Sequence, residues 1–225
     1  MFETLPQTVS AQNPLTGASE RVTLTAPMVA GMVRGPLYAP QLAAGLPFAV
    51  SEAAQQRWTP LIGLASANLS RTNGGLAMGM HFSVICGEDP LRTATPATAG
   101  RFAGVMDTSY KAVCESWPKS KVDPAFYSLP PSSAPVLMYS GGVDPATPPR
   151  HAEEVAKALG DKVRHVVVPQ AGHGILRLGC TSDMVFKFID HKQDAEALKV
   201  DATCLSNIPR PKAFIPLITT LEGRS

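Results

Sequence analysis

Two residues in the last third of the chain have the types and spacing to work as an acid–base pair. Asp144 sits in "SGGVDPATPP" and His173 in "VVVPQAGHG", 29 residues apart. A carboxylate that binds one ring nitrogen of a histidine fixes its tautomer and stabilises the imidazolium, leaving the other nitrogen free as a general base. Each residue also has a plainer reading. Aspartate before proline is an ordinary turn residue, and a histidine between glycines an ordinary loop residue. Ser140, four residues before Asp144, is the nearest hydroxyl that resembles a nucleophile.

The flanking sequence says what must position the pair. "PVLMYS" before Asp144 and "RHVVVP" before His173 are short apolar runs, the second of the kind buried in a parallel sheet. Between them Thr147 is a candidate N-cap, Pro148 suits the first helical position, and Glu153 and Glu154 complement the positive helix end. The helix runs to about Leu159 and Gly160 ends it. Pro135–Pro169 therefore reads as one βαβ unit with a right-handed crossover. Loops that follow adjacent parallel strands lie side by side at the carboxyl edge of the sheet, which brings Asp144 to His173. "SDMVFKFIDH" is a final amphipathic helix.

Upstream, residues 1–24 read as an extended lead-in with one short alternating strand in "TGASERVTLT", and residues 25–130 as a helical region. Three short amphipathic stretches, broken at Pro36, Pro40 and Pro60, bury too little to be stable alone. "GMHFSVIC", residues 79–86, reads as a strand because it is β-branched and aromatic and is followed by Gly87. A helix is expected over 99–117, then a proline-rich connector over 118–133, and residues 131–225 form the C-terminal α/β portion.

Composition narrows the function. Of 225 residues, 44% are hydrophobic and 17% charged, a globular mixture with a net charge of only +2. No basic block favours nucleic acid or an anionic membrane, and no apolar run reaches the roughly 20 residues needed to span a bilayer. The N-terminal "MFETLPQTVSAQNP" has neither the basic nor the apolar region of a signal peptide. The four cysteines, Cys86, Cys114, Cys180 and Cys204, fit no zinc spacing. They are either buried free thiols or two sequential disulfides, the latter implying an oxidising compartment.

"SGGVDPATPP" followed by "VVVPQAGHG", the Cys180…Cys204 pair, the terminal "CLSNIPRPKAFIP" and the earlier "GMHFSVICGEDP…CESWP" resemble the C-terminal region of the tripeptidyl-aminopeptidase and proline-iminopeptidase-like serine peptidases. These are α/β-hydrolases. The resemblance implies an α/β chain with a partial α/β-hydrolase fold, namely a C-terminal βαβ carrying the acid and histidine loops plus a helical lid subdomain. It implies Asp144 as triad acid, His173 as triad base and a peptide or small amide or ester as substrate, without metal or cofactor. It also points to Glu88 and Asp89 as candidates for binding a substrate ammonium, with a solvated acidic turn as the alternative. Full-length relatives resemble secreted or periplasmic proteins.

One departure matters. The nucleophile of this fold sits in G-x-S-x-G on a strand-to-helix elbow ahead of the acid, and its oxyanion hole uses an early H-G-G-type loop. Neither motif occurs. Ser140 has Met138 two residues before it, where the elbow needs a small residue, and it shares one loop with Asp144. The expectation is a chain that holds two members of a triad, lacks the nucleophile-bearing N-terminal half, and is inactive alone or pairs with that half.

Overall fold

A computed structural model describes residues 2–13, 16–69, 77–89 and 105–216. The strand expected in the lead-in, within "TGASERVTLT", has a partner strand ahead of it, and the two form a β-hairpin. Strands β1 (Gln7–Gln12) and β2 (Ser19–Leu24) pair antiparallel from Gln7↔Leu24 to Gln12↔Ser19. On the wet side Thr8 faces Thr23 and Ser10 lies diagonally across from Ser19, with hydroxyls 3.1 and 2.9 Å apart. Ala11 and Leu24 are buried on the other side.

Four helices follow: α1 (Ala26–Arg34), α2 (Pro40–Ala43), α3 (Leu46–Ala54) and α4 (Thr59–Leu69), with a 3-10 turn at Gly35–Tyr38. Pro27, Pro40 and Pro47 sit in the first turns of α1, α2 and α3, where a missing N–H costs nothing. The helices form a core with the hairpin: Leu24, Val29, Leu46, Ala53, Trp58 and Leu61 are buried together, with Val9 and Val22 packed against them. The hairpin supplies the apolar surface that the helices lack by themselves.

The strand expected at residues 79–86 is a helix, α5 (Met78–Glu88). Its partly covered residues include His81, Phe82, Ile85 and Cys86, while Ser83 and Val84 are exposed. That spacing is a helical stripe rather than an alternation, and it meets α6 (Val105–Ser116). Three links join this pair: the Cys86–Cys114 disulfide, a 3.0 Å contact between His81 Nε2 and the Tyr110 hydroxyl, and Trp117 Nε1 donating to Ser83 Oγ just beyond α6. Packing overrides the strand preference of a β-branched, aromatic run. Of the helix expected over 99–117, residues 99–104 lie outside the described residues.

The last third is built around the parallel pair β3 (Val136–Gly141) and β4 (Val163–Val168), joined through α7 (Pro149–Leu159). The register runs from Val136↔Val163 to Gly141↔Val168, so both strands end level. Gly160 closes α7 with φ of 85°, a value that favours glycine. The helix starts one residue later than expected: Pro148 is the N-cap, Pro149 the first helical residue, and no side chain caps it. A second core gathers Val166, Val168, Ala171 and Ile175 with Met184 of α8 (Thr181–Asp190) and Leu205 of α10 (Thr203–Ser206), and α9 (Asp194–Ala197) packs on α8. The Cys180–Cys204 disulfide ties the start of α8 to α10. Beyond α10 the tail returns to the helices, where Phe214 N–H donates to the Ala44 carbonyl at 2.8 Å and its ring meets Phe48.

Candidate acid–histidine site

The level ends of β3 and β4 put the two following loops in contact. Backbone hydrogen bonds stitch them together, Gly142 N–H to Val168 O and Val143 N–H to Ala171 O. Glycine is required for this approach. A Cβ on Gly141 would strike the carbonyl oxygens of Gly172 and Ala171, and one on Gly142 would strike that of Pro169. The "GG" and "AGHG" of the sequence are thus the two halves of one close backbone crossing.

Asp144 and His173 meet across that crossing. The ring Nδ1 of His173 lies 2.9 Å from Asp144 Oδ2. The acid is enclosed, with 3% of its side chain exposed, whereas the imidazole is 47% exposed. The carboxylate oxygens divide the work. Oδ1 accepts from the backbone N–H groups of Ala146 and Thr147 at 2.8 and 3.1 Å, an Asx turn that shapes the loop. Oδ2 accepts from the Thr147 hydroxyl at 2.9 Å and holds His173. The turn role and the acid role therefore coexist in one side chain.

Burial pushes the Asp144 carboxyl up, but hydrogen bonds outweigh it and hold the group below its ordinary value. The donors are the Ala146 N–H, His173, and the Thr147 N–H and hydroxyl. An ionised Asp144 places the proton on His173 Nδ1 and leaves Nε2 as the lone-pair nitrogen.

The helical segment reaches the imidazole as well. His173 N–H donates to the Tyr38 carbonyl at 2.9 Å, and the Tyr38 ring lies edge-on to the imidazole at 5.2 Å between centroids. The Arg34 guanidinium sits 5.5 Å from the Tyr38 ring centroid. Nothing in the sequence marks Tyr38 for this role. Thr147 carried a signal for the wrong one, since its hydroxyl serves the acid and not the helix.

The remaining candidates are placed as follows. Ser140 is buried in β3 at 5% exposure, and its hydroxyl lies 2.9 Å from Nε2 of His165, not of His173. Glu88 ends α5, where its backbone carbonyl accepts from the Tyr127 hydroxyl, and Asp89 follows it. Among the described residues no hydrogen bond or ion pair joins either acid to the two loops. Cys86, Cys114, Cys180 and Cys204 form the two sequential disulfides. Among the described residues no cluster of histidine, cysteine and acidic side chains could hold a metal, and no helix is long and apolar enough to cross a membrane.

A βαβ unit that presents an acid and a histidine on neighbouring loops at its carboxyl edge is compatible with an α/β fold of the hydrolase kind. Residues 100–204 match the family described as TAP-like protein, a likeness that supports a TAP-like α/β-hydrolase C-terminal region there. No curated protein and no solved structure matches the chain.

Proposed function

We propose that the chain supplies the acid and the base of a serine aminopeptidase and that the serine comes from a segment outside these 225 residues. The observation that carries this reading is the 2.9 Å contact between Asp144 Oδ2 and His173 Nδ1 on an imidazole that is half open to solvent. In this scheme His173 Nε2 takes the proton of an incoming serine hydroxyl and returns it to the departing amine. Asp144 orients the ring and stabilises the imidazolium. The resemblance of the two loops and of the C-terminal segment to tripeptidyl aminopeptidases supports cleavage at free peptide N-termini. A general esterase or amidase of the same fold would use the same two residues. Ser140 is engaged by His165, which supports an external nucleophile.

The test is to combine the chain with a G-x-S-x-G-bearing half of a TAP-like hydrolase and follow aminoacyl-p-nitroanilide cleavage. Turnover is expected only from the pair, lost with His173→Ala and kept with Ser140→Ala. Cleavage by the chain alone that Ser140→Ala abolishes would sink the proposal.

A non-catalytic, complementing module is the second reading. It is favoured by Phe186 and Ile189, one helical turn apart on α8 and 65% and 66% exposed. A sheet of two strands, the extent seen in this unit among the described residues, also leaves edges to be paired. An assembly that forms with the other half yet never turns over substrate would favour it.

A further inference from the structure

We propose that the cleft beside the acid–histidine pair is a binding site for a small apolar group that ends in a carboxylate. The cleft has a volume of about 380 Å3, within the range of small-molecule sites. Segments remote in sequence wall it: Leu37 and Pro40 from the helical region, Val143 from the acid loop, Gln170 from the histidine loop, and Arg210 and Pro211 from the tail. Val143 directly precedes Asp144, and Leu37 directly precedes the tyrosine whose carbonyl holds His173. A second recess of about 200 Å3 shares Pro40, Gln170 and Pro211 and reaches Tyr38, whose ring meets the imidazole edge-on, and Gly174, the residue after His173.

The walls define the ligand. Leu37 and Val143 are large apolar side chains left exposed, and covering them with an apolar group releases water at a favourable free energy. Arg210 is the one charged residue of the lining. Among the described residues its guanidinium has no acidic partner and no hydrogen-bond acceptor. A guanidinium on a mostly apolar wall binds a carboxylate bidentately and strongly. Gln170, also without a side-chain partner among the described residues, adds a second donor at the same cleft. Prolines at 40, 47 and 211 preset the walls, which reduces the ordering cost of binding. The fitting chemistry is a short acyl chain with its carboxylate, or the apolar C-terminal residue of a short peptide. The site depends on binding alone, so it stands apart from whether the chain takes part in turnover.

The experiment is calorimetric titration of the full 225-residue chain with hexanoate, 1-hexanol and N-acetyl-leucine. Hexanoate is expected to bind at least about tenfold more tightly than hexanol, the scale of one charged hydrogen-bonded pair. Arg210→Met should abolish that preference and leave hexanol binding in place, and Val143→Trp should weaken all three ligands. N-acetyl-leucine binding more tightly than hexanoate would assign the site to peptide C-termini, and the reverse order would assign it to acyl chains. Equal binding of hexanoate and hexanol, a preference that survives Arg210→Met, or no binding of hexanoate would overturn the proposal.

Discussion

The backbone N–H of His173 is held by the carbonyl of Tyr38 at 2.9 Å, so a residue more than a hundred positions upstream sets where the imidazole stands. The site is a three-way junction in which the acid loop fixes the ring through Nδ1, the helical segment fixes the backbone, and Gly172 lets the two come close. A Cβ at Gly172 would collide with the Tyr38 carbonyl and crowd Pro40.

Gly172→Ala is therefore expected to destabilise the chain by about 1–3 kcal/mol, the range for forced overpacking. Gly174→Ala, two residues on, has open space around it and serves as the control. Urea midpoints measure both. A Gly172→Ala midpoint equal to wild type would remove the close crossing as a determinant of the fold.

Thr147→Val removes the hydroxyl that donates to Asp144 Oδ2 while keeping the backbone N–H of the Asx turn. The loss should be about 1 kcal/mol, and Thr147→Ser should restore it. With one donor fewer, the Asp144 carboxyl should titrate at higher pH in carbon-13 NMR. A helix-capping role for Thr147 would leave that titration unmoved.

Because Asp144 is held below its ordinary value in the folded chain, the unfolded state binds the proton first. Unfolded aspartate titrates near about 3.9. The contribution is fully present above that value, and it falls as pH drops from there through the lower folded-state value. Asp144→Asn should flatten this part of the stability–pH curve relative to wild type. Identical acid limbs for the two proteins would refute the linkage.

Reduction should add four hydrogens to the mass, two for each disulfide. Replacing Cys180 and Cys204 by serine should cost up to about 3 kcal/mol by loop-closure entropy. The measurable consequence is a lower melting temperature, with loosening at α8 and α10 first. Unchanged hydrogen exchange there would count against the bridge as a restraint.

Glutamate at Phe186 and Ile189 should reduce self-association of the isolated chain without lowering its melting temperature, since both side chains are largely exposed. Light scattering reads the outcome. If the same changes block assembly with a nucleophile-bearing half, this helix face is the docking surface, and unimpaired assembly would place the interface elsewhere.

The C-terminal unit was legible because its signals are local. Two apolar runs, a helical pattern between them and a glycine stop defined the βαβ unit, and its topology sets the loops that carry Asp144 and His173 side by side. The cysteine pairing fitted the sequence as one of two readings. What could not be read depends on partners distant in the chain. "GMHFSVIC" looks like a strand until α6 offers its helical stripe a surface. Residues 7–12 carry too few apolar side chains to announce a strand, and they form one because β2 and the α1–α4 core lie beneath. Tyr38 contributes a backbone carbonyl, which no residue type reveals.

The return of the tail has a wider consequence. Phe214 reaches Ala44 and Phe48, and Tyr38 reaches His173, so the first and last thirds of the chain are one noncovalent unit. Helices α5 and α6, which the Cys86–Cys114 bridge clasps to each other, are in effect an insertion into that unit. Proteolytic nicking of the exposed stretch at residues 118–121 should thus yield two polypeptides that travel together until denatured, with the histidine still framed by both.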